Sequence, residues 1–168
     1  PREFINEFWN RAAPYMSTSL PAAQRLAGLR GLFQSTFDVA PITEFVLGRY
    51  RWLATPQQAR DFFLLYQEYT VQTYSRQLGH LAGSRLVVQN ARPHGAETII
   101  GSIVVTPGGG NYRVDWHAVD RGGACKIADL VIEGVSMKQT QRDEVARWIE
   151  RNGGHFSAAL AVLRQQIG

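Results

Sequence analysis

Residues 55–91 read TPQQARDFFLLYQEYTVQTYSRQLGHLAGSRLVVQNA, and the fold turns on what happens inside this stretch. Thr55 stands at a helix N-cap, Pro56 at the first helical position and Gln58 three residues after the cap. That is a capping box, with a proline where its missing N–H leaves no bond unmade. Over 57–81, Phe62, Phe63, Tyr66, Tyr69, Thr70, Tyr74, Leu78 and Leu81 recur at helical spacing. Arg60, Asp61, Glu68, Gln72 and Arg76 fall on the other side, so the segment predicts a long amphipathic helix with an aromatic stripe. At Gly83 the period drops from about 3.6 to about 2, and the chain turns from helix to strand.

Downstream, residues 85–91, 98–106, 112–119 and 126–132 read as four strands. Their separators are Pro93-His94-Gly95, Pro107-Gly108-Gly109-Gly110-Asn111 and Asp120-Arg121-Gly122-Gly123, short enough to imply an antiparallel meander. In the third strand Tyr112, Val114, Trp116 and Ala118 alternate with Arg113, Asp115 and His117, a half-buried pattern.

Upstream, Phe4, Phe8 and Trp9 share a face of an opening helix. Pro21 starts a second, striped by Leu26, Leu29, Leu32 and Phe33, and Asp38 is placed to cap a third that runs through Phe45 and stops at Gly48. After the strands, Ser136 and Gln139 form a second capping-box pattern before a helix carrying Val145, Trp148 and Ile149. Gly153-Gly154 ends it, and Phe156, Leu160, Leu163 and Ile167 stripe a last helix. Helices, sheet, helices make the class α+β. The expectation is one domain over 1–168, with a four-stranded antiparallel curved sheet packed against several helices around an apolar cavity.

Composition narrows the function classes. A chain of 168 residues, 45% hydrophobic and 19% charged, is globular rather than disordered. Net charge is +4, but the arginines are spread and form no dense basic block, so no nucleic-acid partner is expected. Cys125 is the only cysteine, which excludes an intramolecular disulfide and a CxxC site. It reads as a small buried strand residue rather than a nucleophile. His80, His94, His117 and His155 lack ligand spacing, so no metal is expected. Gly108-Gly109-Gly110 lacks the Lys-Ser/Thr of a phosphate loop, no GxSxG elbow exists, and no cofactor is expected. No stretch approaches the roughly 18 apolar residues of a membrane span. An opening at Pro1-Arg2-Glu3-Phe4 is expected of a processed or trimmed product, so a missing signal peptide says nothing about compartment.

One polar constellation invites an enzymatic reading. Asp115 and His117 are two apart on one strand and share a face, with Arg113 in the same row. Facing a cavity, they would make an acid/base pair; the alternate face of Tyr112, Val114 and Trp116 is the more obvious inward set. Asp129, sharing parity with Ile127 and Val131, is expected to pair with an arginine such as Arg142 or to lie on the wetter face.

The segment Val46-Leu47-Gly48-Arg49-Tyr50-Arg51-Trp52-Leu53-Ala54-Thr55-Pro56-Gln57-Gln58 resembles the signature of the MlaC family, the toluene-tolerance auxiliary transport proteins. Lys126-Ile127-Ala128-Asp129-Leu130-Val131-Ile132-Glu133-Gly134-Val135-Ser136-Met137 resembles its second signature, and Arg142 and Gly153-Gly154 continue it. Cys125 and Ala128 depart from it, standing where family members often carry aromatics. The wording around Lys126 and Ser136 is similar to the hopanoid-associated HpnM branch. The resemblance implies a periplasmic, non-enzymatic lipid carrier, with phospholipid or hopanoid as cargo and an inner-membrane ABC transporter among its partners. A monomer is expected. The candidate lipid-binding residues are Phe63, Tyr66, Thr70 and Tyr74 on the long helix. Val105, Val114, Trp116 and Ile127 are the candidates on the sheet, and Val145 and Ile149 those at the far side.

Overall fold

The computed structural model describes residues 1–17 and 19–167. Among them the chain runs α1 (Arg2–Ala12), α2 (Ala22–Thr36), α3 (Val39–Leu47), α4 (Pro56–Leu78), β1 (Arg85–His94), β2 (Glu97–Val105), β3 (Asn111–Arg121), β4 (Ala124–Ile132), β5 (Val135–Ser136), α5 (Met137–Glu150) and α6 (Phe156–Ile167). The α4 capping box forms as its sequence demands: Thr55 Oγ1 accepts from Gln58 N at 3.1 Å, and Gln58 Oε1 accepts from Thr55 N at 3.0 Å. From that fixed start the helix runs 23 residues, about 35 Å, and buries Phe62, Tyr66, Thr70 and Val71 on one side.

The sheet is an antiparallel meander in the order β1-β2-β3-β4-β5. It has five strands, not the four expected. The fifth is two residues long, too short for any alternation to show in sequence. It folds back on β4 through Glu133-Gly134, with φ of 50° and 81°. Positive φ at both central residues is the geometry of a type I′ hairpin turn, and the strain it puts on Glu133 is offset locally. Glu133 N donates to Arg113 O at 2.9 Å, and the Glu133 carboxylate accepts from Arg113 N at 2.6 Å. Two of the other hairpins are tighter than their separators implied: Pro93 and His94 belong to β1, and Asp120 and Arg121 to β3.

Register fixes which side chains face the helices. Ile100 opposes Trp116, Ser102 opposes Val114, and all four are buried. A buried indole needs an acceptor, which explains the serine here: Trp116 Nε1 donates to Ser102 Oγ at 2.9 Å, and Ser102 Oγ donates to Val114 O at 2.7 Å. In β4 the pairing slips, so that His117 opposes Asp129 but Ala118 opposes Ile127, leaving Ala128 as the extra residue of a bulge. The bulge reverses parity. Ile127 therefore shares the inner face with Leu130 and Ile132, not with Asp129 and Val131 as strict alternation would have it.

Three polar expectations are corrected. Asp129 does not pair with Arg142; it accepts from Ser136 Oγ at 2.5 Å and Lys138 N at 3.1 Å, tying the start of α5 to β4. Arg142 instead lies over the Phe45 ring, 4.9 Å from its centroid. Asp38 sits at the N-cap of α3 without a capping bond, its carboxylate taken by the Arg121 guanidinium at 2.8 to 3.2 Å. The Ser136–Gln139 box is half made: Ser136 Oγ accepts from Gln139 N, while the Gln139 side chain turns to Asp143.

The apolar interior has two parts. One is helical, where α3, α5, α6 and the first half of α4 bring together Val46, Phe62, Tyr66, Val145, Ile149 and Leu163. The other lies between α1, α2 and the inner face of the sheet, with Ile5, Trp9, Leu32, Ile100, Val114 and Trp116.

Candidate binding cavity

Between those two parts lies a cavity of about 210 Å³. Its walls come from the α4 residues after Phe63, the inner sides of α1 and α2, the inner face of β2 to β4, and the first turns of α5. On α4 the lining residues step by nearly four, through Tyr66, Thr70, Tyr74 and Leu78, because one helical row faces inward. On the sheet the lining residues are Val104, Val114, Trp116, Leu130 and Ile132, with Ala128 and Asp129 at the bulge. Exposure rises along α4 from Tyr66 and Thr70, both buried, through half-buried Tyr74 to exposed Gln77. The mouth therefore lies toward the C-terminal end of α4. Two exposed apolar residues stand at the sheet side of this opening. Tyr112 pairs with the lining residue Val104, and Val135 with the lining residue Ile132.

The cavity has few polar groups, and three of them form a hydrogen-bonded run across the wall. Thr70 Oγ1 donates to Tyr66 O at 2.8 Å. Tyr66 Oη donates to Gln141 Oε1, and Gln141 Nε2 donates to Tyr74 Oη at 3.0 Å. Burial pushes both phenols well above the usual tyrosine range, so they stay protonated. The Lys138 ammonium lies 4.6 Å from the Phe45 ring centroid. Such a surface suits apolar matter; among the described residues its two charged side chains are Asp129, taken by Ser136 Oγ and Lys138 N, and Lys138, turned to the Phe45 ring.

Of the ten candidates from sequence, the structure brings five to the cavity: Tyr66, Thr70, Tyr74, Val114 and Trp116. Phe63 lies one turn before the first α4 residue that lines it. Val105 points to the opposite face of the sheet, since Val104 is the inward partner of Tyr112. Ile127 is inward and fully buried, but in solid packing below the bulge rather than on the cavity. Val145 and Ile149 are buried in the helical part of the core, and α5 reaches the cavity with Met137, Lys138 and Gln141 instead. The sequence reading missed the α1 and α2 wall altogether, with Trp9, Leu29 and Leu32, and on the sheet it missed Val104 of β2 and Leu130 and Ile132 of β4. Those two strands are apolar on both parities, so the inward one carried no signal.

The Asp115–His117 row lies on the other face of the sheet. His117 Nδ1 is 2.8 Å from Glu97 Oε1, and Asp115 Oδ1 is 3.6 Å from Arg113 Nε. Cys125 is half-buried, and burial pushes its thiol up, away from a nucleophile's range. Among the described residues no three His, Cys, Asp or Glu side chains cluster as metal ligands would, and no helix is long and apolar enough to cross a membrane.

Residues 16–165 match the MlaC protein family. The chain belongs to that family. It is 26% identical over 113 residues to the toluene tolerance protein ttg2D of Pseudomonas putida. The match takes in 67% of the chain and 53% of that relative, so the chain spans about half the length of the curated protein it resembles. Among solved structures, the phospholipid-binding protein of Ralstonia solanacearum, determined in complex with a phospholipid, superposes with a TM-score of 0.81. The superposition covers 98% of this chain and 95% of that one, at 16% identity. This MlaC-family chain therefore shares the whole architecture of that protein.

Proposed function

We propose that this chain holds the acyl tails of a phospholipid in the cavity and ferries the lipid between membranes. We place it in the periplasm, as a monomer exchanging cargo with an inner-membrane ABC transporter. The observation that carries this reading is the cavity itself, predominantly apolar and opening at a rim that exposes Tyr112 and Val135. Tyr66, Thr70, Tyr74, Val114 and Trp116 are the proposed contacts. Each buried methylene is worth about 0.8 kcal/mol, so ten of them contribute about 8 kcal/mol without any catalytic group. The family and the lipid-bound Ralstonia protein of the same fold support the assignment.

At about 210 Å³ the cavity is smaller than the roughly 300–1,000 Å³ of ordinary small-molecule sites. A two-tailed lipid enters only as α2, α4 and the sheet part, and the cavity narrows again on release. A solid interior would resist such movement; a wall that already borders empty space does not.

The test is organic extraction and native mass spectrometry of the protein secreted to a bacterial periplasm. One phospholipid per chain is the expected result. A bound hopanoid would change the cargo and keep the carrier. Protein without lipid, refusing phospholipid from vesicles, would overturn the reading. Asp115→Asn and His117→Ala should retain bound lipid, because both side chains face away from the cavity. Loss of function in either, at unchanged stability and lipid content, would favour an acid/base enzyme instead.

A further inference from the structure

The cavity wall carries a hydrogen-bond donor with no protein acceptor. A phenol has one proton to donate, and a primary amide presents one oxygen and one NH₂ group. Tyr66 gives its proton to Gln141 Oε1, and Gln141 Nε2 gives one to Tyr74 Oη at 3.0 Å. Tyr74 is the end of the line. Among the described residues its hydroxyl makes that one hydrogen bond, as acceptor, and its own proton is left over. Turning the Gln141 amide over reverses the run and moves the surplus proton to Tyr66, but does not remove it. Both phenols line the cavity.

The nearby carboxylates do not take this proton. Asp129 is occupied by Ser136 Oγ and Lys138 N, and the Glu144 carboxylate faces Tyr69 Oη at 3.4 Å. Nor is the proton shed, since burial keeps the Tyr74 phenol protonated. An unanswered donor in an apolar wall is unfavourable unless something in the cavity accepts from it.

We propose that the Tyr74 hydroxyl, oriented by Gln141, donates to an ester carbonyl of a glycerolipid cargo. This deepens the carrier reading and rests on it. Depth supports the assignment. Below Tyr74 the lining is buried and apolar, with Trp9, Leu32, Val71 and Trp116; above it Gln77 is exposed. A glycerolipid crosses the same boundary at its esters, where hydrocarbon gives way to polar headgroup. An acceptor that brings no proton of its own fits a site with a surplus donor better than a hydroxyl does.

The experiment loads delipidated protein from vesicles of two phosphatidylcholines with the same chains and headgroup, one ester-linked and one ether-linked. The loaded fraction is read by native mass spectrometry in direct competition. Wild type should prefer the ester lipid about three- to tenfold, the worth of one neutral hydrogen bond, and Tyr74→Phe should bring that ratio to within about twofold of one while ether loading persists. Equal loading of the two lipids by wild type would overturn the inference, the spare proton then being answered by water. So would a Tyr74→Phe protein that keeps the preference. Failure to load either lipid would instead sink the carrier reading, so the two failures are distinguishable. An unfolding midpoint for Tyr74→Phe checks the fold, and the wild-type comparison stands without the variant.

Discussion

The two halves of α4 look alike in sequence and do different work. In the first half Phe62 and Tyr66 stack at 5.5 Å with their rings 8° from parallel, and Phe156 of α6 closes on Phe62 at 5.9 Å. Val145, Ile149 and Leu163 complete the surroundings, none more than 1% exposed. In the second half Thr70, Tyr74 and Leu78 occupy the same helical row but border empty space. The difference comes from what lies opposite. The first half packs closely on α6 and shares a filled core with buried residues of α3 and α5. The second half faces α1, α2 and a sheet, whose inner surfaces stand back and leave the cavity. One stripe is thus a filled core at one end and a wall at the other.

The largest expected effect breaks this comparison directly. Phe62→Ala removes a ring from the filled half and should cost about 3–5 kcal/mol in the free energy of unfolding. Leu78→Ala, already half-buried beside the cavity, should cost about 1 kcal/mol. Urea titrations of delipidated protein would measure both. Equal losses would mean that the second half is packed as solidly as the first.

Adjacent residues of β2 sharpen the contrast on the sheet side. Val104 lines the cavity, whereas Val105 lies on the opposite face, half-buried. Val104→Trp should displace lipid and leave the empty protein nearly as stable as wild type, because the ring enters existing space. Val105→Trp should leave lipid loading unchanged. Ile149→Trp, forced into the filled half, should cost about 1–3 kcal/mol through overpacking. Bound lipid and unfolding free energy, measured together on the three variants, separate wall, outer face and core.

These outcomes bear on how much of the molecule its sequence discloses. The element order, the α4 capping box, the end of α3 at Gly48 and the antiparallel meander were legible, because each follows from local chemistry: a cap, a glycine, a change of period. The inward parity of β3 was legible as well, since Val114 and Trp116 alternate with Arg113, Asp115 and His117. The parity of β2 was not, because Ile99, Ile100, Ile103, Val104 and Val105 offer apolar side chains to both faces. In β4 the bulge at Ala128 shifted the register, and nothing in the run from Lys126 to Ile132 announces an extra residue. Val145 and Ile149 are apolar, helical and buried as expected, yet they sit in core rather than on a wall. Apolar spacing says that a residue is inside; only the opposing surface decides whether that inside is full.

The smallest expected effect concerns the contact that holds the hollow half together from outside. Arg30 of α2 grips Glu68 of α4 through two bonds, Nε to Oε2 at 2.9 Å and Nη2 to Oε1 at 2.8 Å. Both side chains are substantially exposed, at 39% and 28%, so water screens the pair. Glu68→Gln should therefore lower stability at neutral pH by at most about 1 kcal/mol. The hydrogen bonds and charge of Arg30 hold the Glu68 carboxyl below its usual range in the folded protein. A depressed folded pKa means that the contribution is present above the unfolded value, about 4.3, and lost as pH falls through the folded one. The wild-type advantage over Glu68→Gln should thus be full at neutral pH and fade under acid, and should also shrink in high salt. Because α2 and α4 are both cavity walls, the substitution should also speed lipid exchange with vesicles at neutral pH, where the clamp is intact in wild type. A stability gap that persists into strong acid would show that Glu68 acts through packing and not through its charge.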